Sequence, residues 1–217
     1  MLNEVSEGST MAAVVDKAVG AQTGVWQESP LVGVEGVPGL ASAAFRLTER
    51  PFLQLVNVRG DLRDAAFVAA FERVVGCRPP EKANTVASGN GFDVVWLGPD
   101  EWLVRSAAAY SAAATAPVAG ALGTAFSGVF ASAVDVGSGF TVLEISGTAV
   151  LEVLSRGCPL DLHPKLFGAG QCAQSHYFKA SVTLIAAGDN RFELIVRRSF
   201  ADYFVKIIGD AALPLAG

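Results

Sequence analysis

From residue 51 onward, short apolar runs alternate with tight turns, and this habit excludes most folds. The runs 92-FDVVWL-97 and 102-WLVRS-106 flank 98-GPDE-101. The runs 131-ASAVDV-136 and 141-TVLEIS-146 flank 137-GSG-139, and strands expected at about 180–186 and 191–197 flank Gly188-Asp189-Asn190. Turns built on Gly, Pro, Asp or Asn return the chain beside itself, so the paired runs are antiparallel. A parallel sheet needs a long crossover between neighbouring strands, and these turns leave no room for one.

Helical patterns interrupt the strands. After the strand 52-FLQLVNV-58, Gly60 and Asp61 lead into a helix with Asp61 as N-cap and Asp64 in the first turn. Phe67, Phe71, Val74 and Val75 form its apolar stripe, and Gly76 is its stop. An Ala-rich helix is expected near 110–122. A third spans 148-TAVLEVLSR-156, capped by Ser146 or Thr148 and stopped by Gly157, before a strand at about 172–178. The last helix starts at Ser199, where Ser199 and Asp202 have capping-box spacing. Phe200, Tyr203, Phe204, Ile207 and Ile208 give it a strong apolar stripe. The sum is an α+β chain of mixed, mostly antiparallel sheets with helices. Residues 51–217 read as one domain of two related halves, about 51–135 and 136–217. Residues 1–50 lack periodicity and read as an arm, weakly structured or ordered on a partner.

Charge and hydropathy narrow the function classes. A net charge of −5 and a pI near 5.0 argue against nucleic acid as a partner, which would call for a basic face. Residues 106–134 carry no charge, but they are mostly small, and Pro117 interrupts them, so a membrane span is rejected. Cys77, Cys158 and Cys172 are too few for a disulfide framework, which suits a reducing cytoplasm. A hydrophobic share of 51% is high for a soluble domain and fits a chain that also buries surface against a partner.

No catalytic constellation emerges. Cys158, His163, Cys172 and His176 run C-x4-H-x8-C-x3-H, which mixes ligand types within each couple. Positions four apart on a strand are about 13 Å apart, too far for one tetrahedral metal, so buried cysteines and hydrogen-bonded histidines are the better reading. Neither 88-SGNG-91 nor 137-GSG-139 is followed by Lys-Ser/Thr or opens a helix, so both read as turns rather than phosphate cradles. The expected catalytic, cofactor-binding and metal residues are therefore none. The candidate partner contacts are Trp26 in the arm, Trp96 and Trp102 beside the GPDE turn, and the Arg197–Arg198 pair, which has the chemistry of a carboxylate clamp. For the two hairpin tryptophans the competing reading is packing across the hairpin.

The stretches 96-WLGPDEWLV-104, 135-DVGSGFTVLEISG-147, 157-GCPLDLHPKLFGAGQCAQS-175 and 194-LIVRRSFADY-203 resemble the gamma subunit of heterotetrameric sarcosine oxidase, over about residues 52–212. The resemblance implies a fold similar to the folate-binding part of the glycine-cleavage aminomethyltransferase. It implies a non-catalytic chain in a complex that converts sarcosine to glycine, with hydrogen peroxide and 5,10-methylenetetrahydrofolate as further products. FAD, FMN, NAD, zinc and tetrahydrofolate are then expected on the other subunits. The partners are the alpha, beta and delta subunits, mainly alpha. Two alternatives stay open: a small subunit of a related N-methylglutamate dehydrogenase, and a free-standing tetrahydrofolate-binding protein or aminomethyltransferase.

Overall fold

The computed structural model describes residues 28–34, 40–109 and 117–215. Its strands are β1 (Arg46–Glu49), β2 (Leu53–Arg59), β3 (Val86–Gly89), β4 (Phe92–Gly98), β5 (Glu101–Ala109), β6 (Ser132–Asp135), β7 (Phe140–Ser146), β8 (Cys172–Tyr177), β9 (Ala180–Gly188) and β10 (Arg191–Arg197). The helices are α1 (Ala65–Val75), α2 (Val118–Ala125), α3 (Val150–Ser155) and α4 (Ala201–Ala212). The pairings are antiparallel throughout. One sheet runs β3-β4-β5-β2-β6 and the other β8-β9-β10-β7-β1. The two orders match strand for strand, with β1 taking in the second sheet the place that β6 takes in the first.

Alternation along each strand builds four layers. Val56, Val58, Val94, Trp102 and Val104 pack with Phe67 and Phe71 of α1 and Leu122 of α2. Leu143, Ile145, Leu184, Leu194 and Val196 pack with Val153 of α3 and Phe204 and Ile208 of α4. The intervening residues Leu55, Val95, Leu103, Val142, Ile185 and Ile195 form a third core between the sheets. Period-2 side-chain placement is what lets one strand serve two layers.

The sheets are stitched along one seam. Thr85 bridges Gln171, Val86 N–H donates to Gly170 O at 2.9 Å, and Cys172 N–H donates to Asn84 O at 3.0 Å. Gln174 Nε2 adds a bond to Leu97 O at 2.8 Å. The opposite edges, β1 and β6, share no such ladder among the described residues.

Several local expectations shift. The turn at 137-GSG-139 is not a hairpin: β6 pairs with β2 and β7 with β1 and β10, so this short 3₁₀ turn carries the chain from one sheet to the other. Helix α1 begins at Ala65 with Asp64, not Asp61, as the cap. Asp61 Oδ1 is instead taken by Arg63 N–H. Helix α3 begins at Val150 and has no side-chain cap. A 3₁₀ turn over Arg198–Phe200 replaces the capping box expected at Ser199. The Ala-rich helix is found at Val118–Ala125, and its expected beginning, residues 110–116, lies outside the described residues. Strands β1 and β3 were not expected. Part of the arm expected over 1–50 thus belongs to a sheet: β1 pairs with β7, and Phe45 just before it is fully buried. Among the described residues no helix is long and apolar enough to cross a membrane.

Candidate functional site

The polar chemistry of the chain gathers between the sheets. Asp93 and Arg105 lie opposite one another on β4 and β5 and form an ion pair. Arg105 also reaches Glu193 Oε2 of β10 at 3.1 Å, and Arg50, just after β1, reaches Glu193 Oε1 at 2.5 Å. Arg50 further bonds the Ala107 carbonyl. Arg105 and Glu193 are 4% and 5% exposed, so this pair is shielded from water. The four charges sum to zero, which lets two sheets share a buried charge layer without an isolated ion. Asp93, Arg105 and Glu193 each interrupt an apolar run, in 92-FDVVWL-97, 102-WLVRS-106 and 192-FELIV-196, at a position facing the other sheet.

Beside this network a cleft of about 740 Å³ opens between the sheets, on the side of the unstitched edges. Leu53, Leu55, Phe140 and Val142 form its apolar floor, and Phe52, at φ 59°, stands at its wall. Its polar groups are turned on one another. Glu49 accepts from Ser29 Oγ and from Thr141 Oγ1, the latter at 2.6 Å. Asp135 Oδ1 accepts from Gly137 N–H at 2.8 Å, and Gln54 Oε1 accepts from Val118 N–H at 2.7 Å. Arg198 donates to Glu28 O at 3.0 Å. Such a lining fixes the segment around Ser29 and the start of α2.

The thiols sit in unreactive surroundings. Burial pushes the Cys172 thiol up to about 11, so it stays protonated at neutral pH. Its Sγ lies 3.4 Å from Thr85 O and 3.5 Å from Trp96 O, in the stitched seam. Burial and the Asp93 and Glu72 charges also raise Cys77. Cys158 packs in the α3–α4 layer and Cys172 in the inter-sheet layer, on opposite faces of one sheet. His176 is exposed and contacts Phe178 O, and His163 Nδ1 caps Lys165 N–H. The four residues tested as zinc ligands are therefore not brought together. Among the described residues no group of three or more His, Cys, Asp and Glu side chains could hold a metal ion.

The candidate contact residues divide. Trp26 lies outside the described residues. Trp102 is a correction: it is fully buried against Phe67 at 5.8 Å between ring centroids, and its indole N–H donates to Pro80 O at 2.9 Å. It has no surface to offer a partner. Trp96 is half-buried and faces it across the hairpin. Arg197 and Arg198 are both exposed, but they do not form one clamp. Arg197 lies over the Phe140 ring at 5.5 Å, while Arg198 holds Glu28.

Residues 59–213 match the model of the "Sarcosine oxidase, gamma subunit family". The sarcosine oxidase subunit gamma of Corynebacterium sp. (strain P-1) is 33% identical over 179 residues, covering 82% of this chain and 85% of that one. Its Arthrobacter sp. counterpart is 32% identical, with 82% and 85% covered. A chain of the heterotetrameric sarcosine oxidase from Corynebacterium sp. U-96 superposes with a TM-score of 0.77 at 26% identity, covering 88% of this chain and 97% of that one. The glycine cleavage system aminomethyltransferase T from Bartonella henselae has a TM-score of 0.59 at 14% identity over 79% of this chain and 47% of that one, a likeness of fold alone.

Proposed function

We infer what this chain does from one premise: it belongs to the sarcosine oxidase gamma subunit family. It serves as the non-catalytic gamma subunit of a heterotetrameric complex that oxidatively demethylates sarcosine to glycine. The observation that carries this is likeness over nearly the whole length of both chains, in sequence and in fold. The inward-bonded cleft and the protonated Cys172 thiol support a structural role for this chain. FAD, FMN, NAD, zinc and tetrahydrofolate then belong to the alpha, beta and delta subunits, with alpha the main contact, in the cytoplasm. The matching strand orders of the two sheets support reading residues 51–135 and 136–217 as related halves, the second completed by β1.

The test is co-expression with the other three subunits. The assembled complex is expected to release hydrogen peroxide when given sarcosine, and the chain alone is expected to show neither turnover nor tetrahydrofolate binding by calorimetry. Turnover or folate heat from the folded chain alone, or failure to co-purify with any subunit, refutes the proposal. N-methylglutamate as a parallel substrate distinguishes the related dehydrogenase.

A further inference from the structure

The two outer edges at the open seam are treated differently by the chain. In the second sheet, residues 40–42 fold back over β1: Leu47 N–H donates to Leu40 O at 2.9 Å, and Ser42 N–H donates to Phe45 O at 2.9 Å. The aromatic just before that strand, Phe45, is fully buried. At the equivalent edge, Val136 N–H donates to Leu55 O at 2.9 Å, which turns the backbone of Val136 and Val134 toward β2. Alternation then turns the backbone N–H and C=O of Ala133 and Asp135 outward. By register Ala133 matches Leu47, since Asp135 faces Val56 as Glu49 faces Leu143. Among the described residues nothing accepts from Ala133. In the same register Phe45 matches Ala131, which packs against the helix-side core, while its neighbour Phe130 is 98% exposed and Val134 is 55% exposed.

A strand edge that no described residue covers, flanked by an exposed phenylalanine, is a liability unless something pairs with it. The Phe130 backbone is pinned on both sides, by Val129 N–H to Phe126 O and Ala131 N–H to Val129 O, each at 2.9 Å, so the ring is presented at low entropy cost. The nearby charges Arg59, Asp100, Glu101 and Asp135 sum to −2, and Arg59 is already paired to Glu101 at 2.6 Å. We propose that the β6 edge, from Phe130 to Asp135, docks an extended, basic segment of a partner subunit. That segment adds as a strand to β6, at the edge position where residues 40–42 make a single bridge to β1, and receives Phe130 in an apolar pocket. This surface assignment rests on the subunit role proposed above.

The experiment uses the chain co-expressed with the alpha, beta and delta subunits. Phe130→Ser removes the anchor. Ala133→Pro removes the outward N–H without touching the bonds to β2 and is compatible with an edge strand. Leu166→Ser, at a 62% exposed leucine elsewhere, is the control. Each of the first two is expected to weaken assembly about tenfold or more, and the control less than about twofold. Wild-type affinity is expected to fall with rising salt. Amide exchange at Ala133 is expected to slow in the complex and to be fast in the free chain. Assembly of either edge variant within about twofold of wild type overturns the assignment. So does slow exchange at Ala133 in the free chain, which would mean that the chain covers its own edge. If the wild type itself joins no subunit, the subunit role fails instead.

Discussion

Neutralising Glu193 tests what holds the two sheets together. Glu193→Gln keeps the shape and removes the charge placed between Arg105 and Arg50. Arg105 then keeps only Asp93, whose side chain is 25% exposed, and the four-residue cluster becomes +1. Breaking a buried pair from one side typically costs about 3–5 kcal/mol, because a charge is left without compensation. Arg50 is 29% exposed and can turn to water, so the lower end, about 3 kcal/mol, is expected here. For a domain of this size that is roughly a 6–12 °C drop in Tm. Replacing both members, Arg105→Met with Glu193→Met, is expected to recover most of the loss, ending within about 1.5 kcal/mol of wild type. Arg105 Nε and Glu193 Oε2 make no hydrogen bond among the described residues, the latter meeting Arg105 only as an ion pair, so the native network is itself incompletely satisfied. Equilibrium urea unfolding of these two variants beside wild type measures both differences. A Glu193→Gln loss below about 1 kcal/mol, or a double variant worse than the single one, would refute the reasoning that the charges matter chiefly by compensating one another.

Two further outcomes follow from local geometry. The Cys172 proton is held more tightly in the folded chain, at about 11, than in the unfolded chain. Its contribution is therefore complete below the unfolded thiol pKa near 8.5 and is lost as pH climbs toward 11, by up to about 1.4 kcal/mol per pH unit. Urea midpoints at several alkaline pH values are expected to show this slope in wild type and a shallower one in Cys172→Ala. Gly147 sits at φ 129°, and a Cβ there would meet the Ala44 carbonyl, which already accepts from Ala149 N–H at 2.9 Å. Gly147→Ala is expected to lose about 2 kcal/mol or more, while Gly139→Ala, which opens onto free space, is expected to stay within about 0.5 kcal/mol; a melting curve of each separates them.

Strand positions were legible wherever an apolar run lay between turns. The runs 92-FDVVWL-97 and 191–197 fall on β4 and β10, because short apolar runs bounded by turn residues suit strands that pack on both faces. Helix starts were less legible. Asp61 and Asp64 are equivalent as caps on paper, and only the local bond to Arg63 takes Asp61 out of contention. Short edge strands escaped notice, since β1 and β3 are four residues each and too brief to show a period. Beside the GPDE turn, Trp102 reads as either a partner anchor or a residue packed across the hairpin. Its own position faces the helices, and that is set by register. Phe130 carried no signal at all, because exposure is a property of what fails to cover a residue.

Turn chemistry and hydrophobic period, written in consecutive residues, determined that this chain makes antiparallel strands and amphipathic helices. Where each strand finds its partner is another matter. The glycine turn at 137–139 bends the chain equally well into a hairpin or across to a second sheet, and local energetics do not separate the two. Only packing in three dimensions decides that β6 and β7 part company, that Asp93, Arg105, Arg50 and Glu193 meet, and that among the described residues one sheet edge is covered and the other is not. Those contacts join residues far apart in sequence, and their free energy exists only once both sheets are formed.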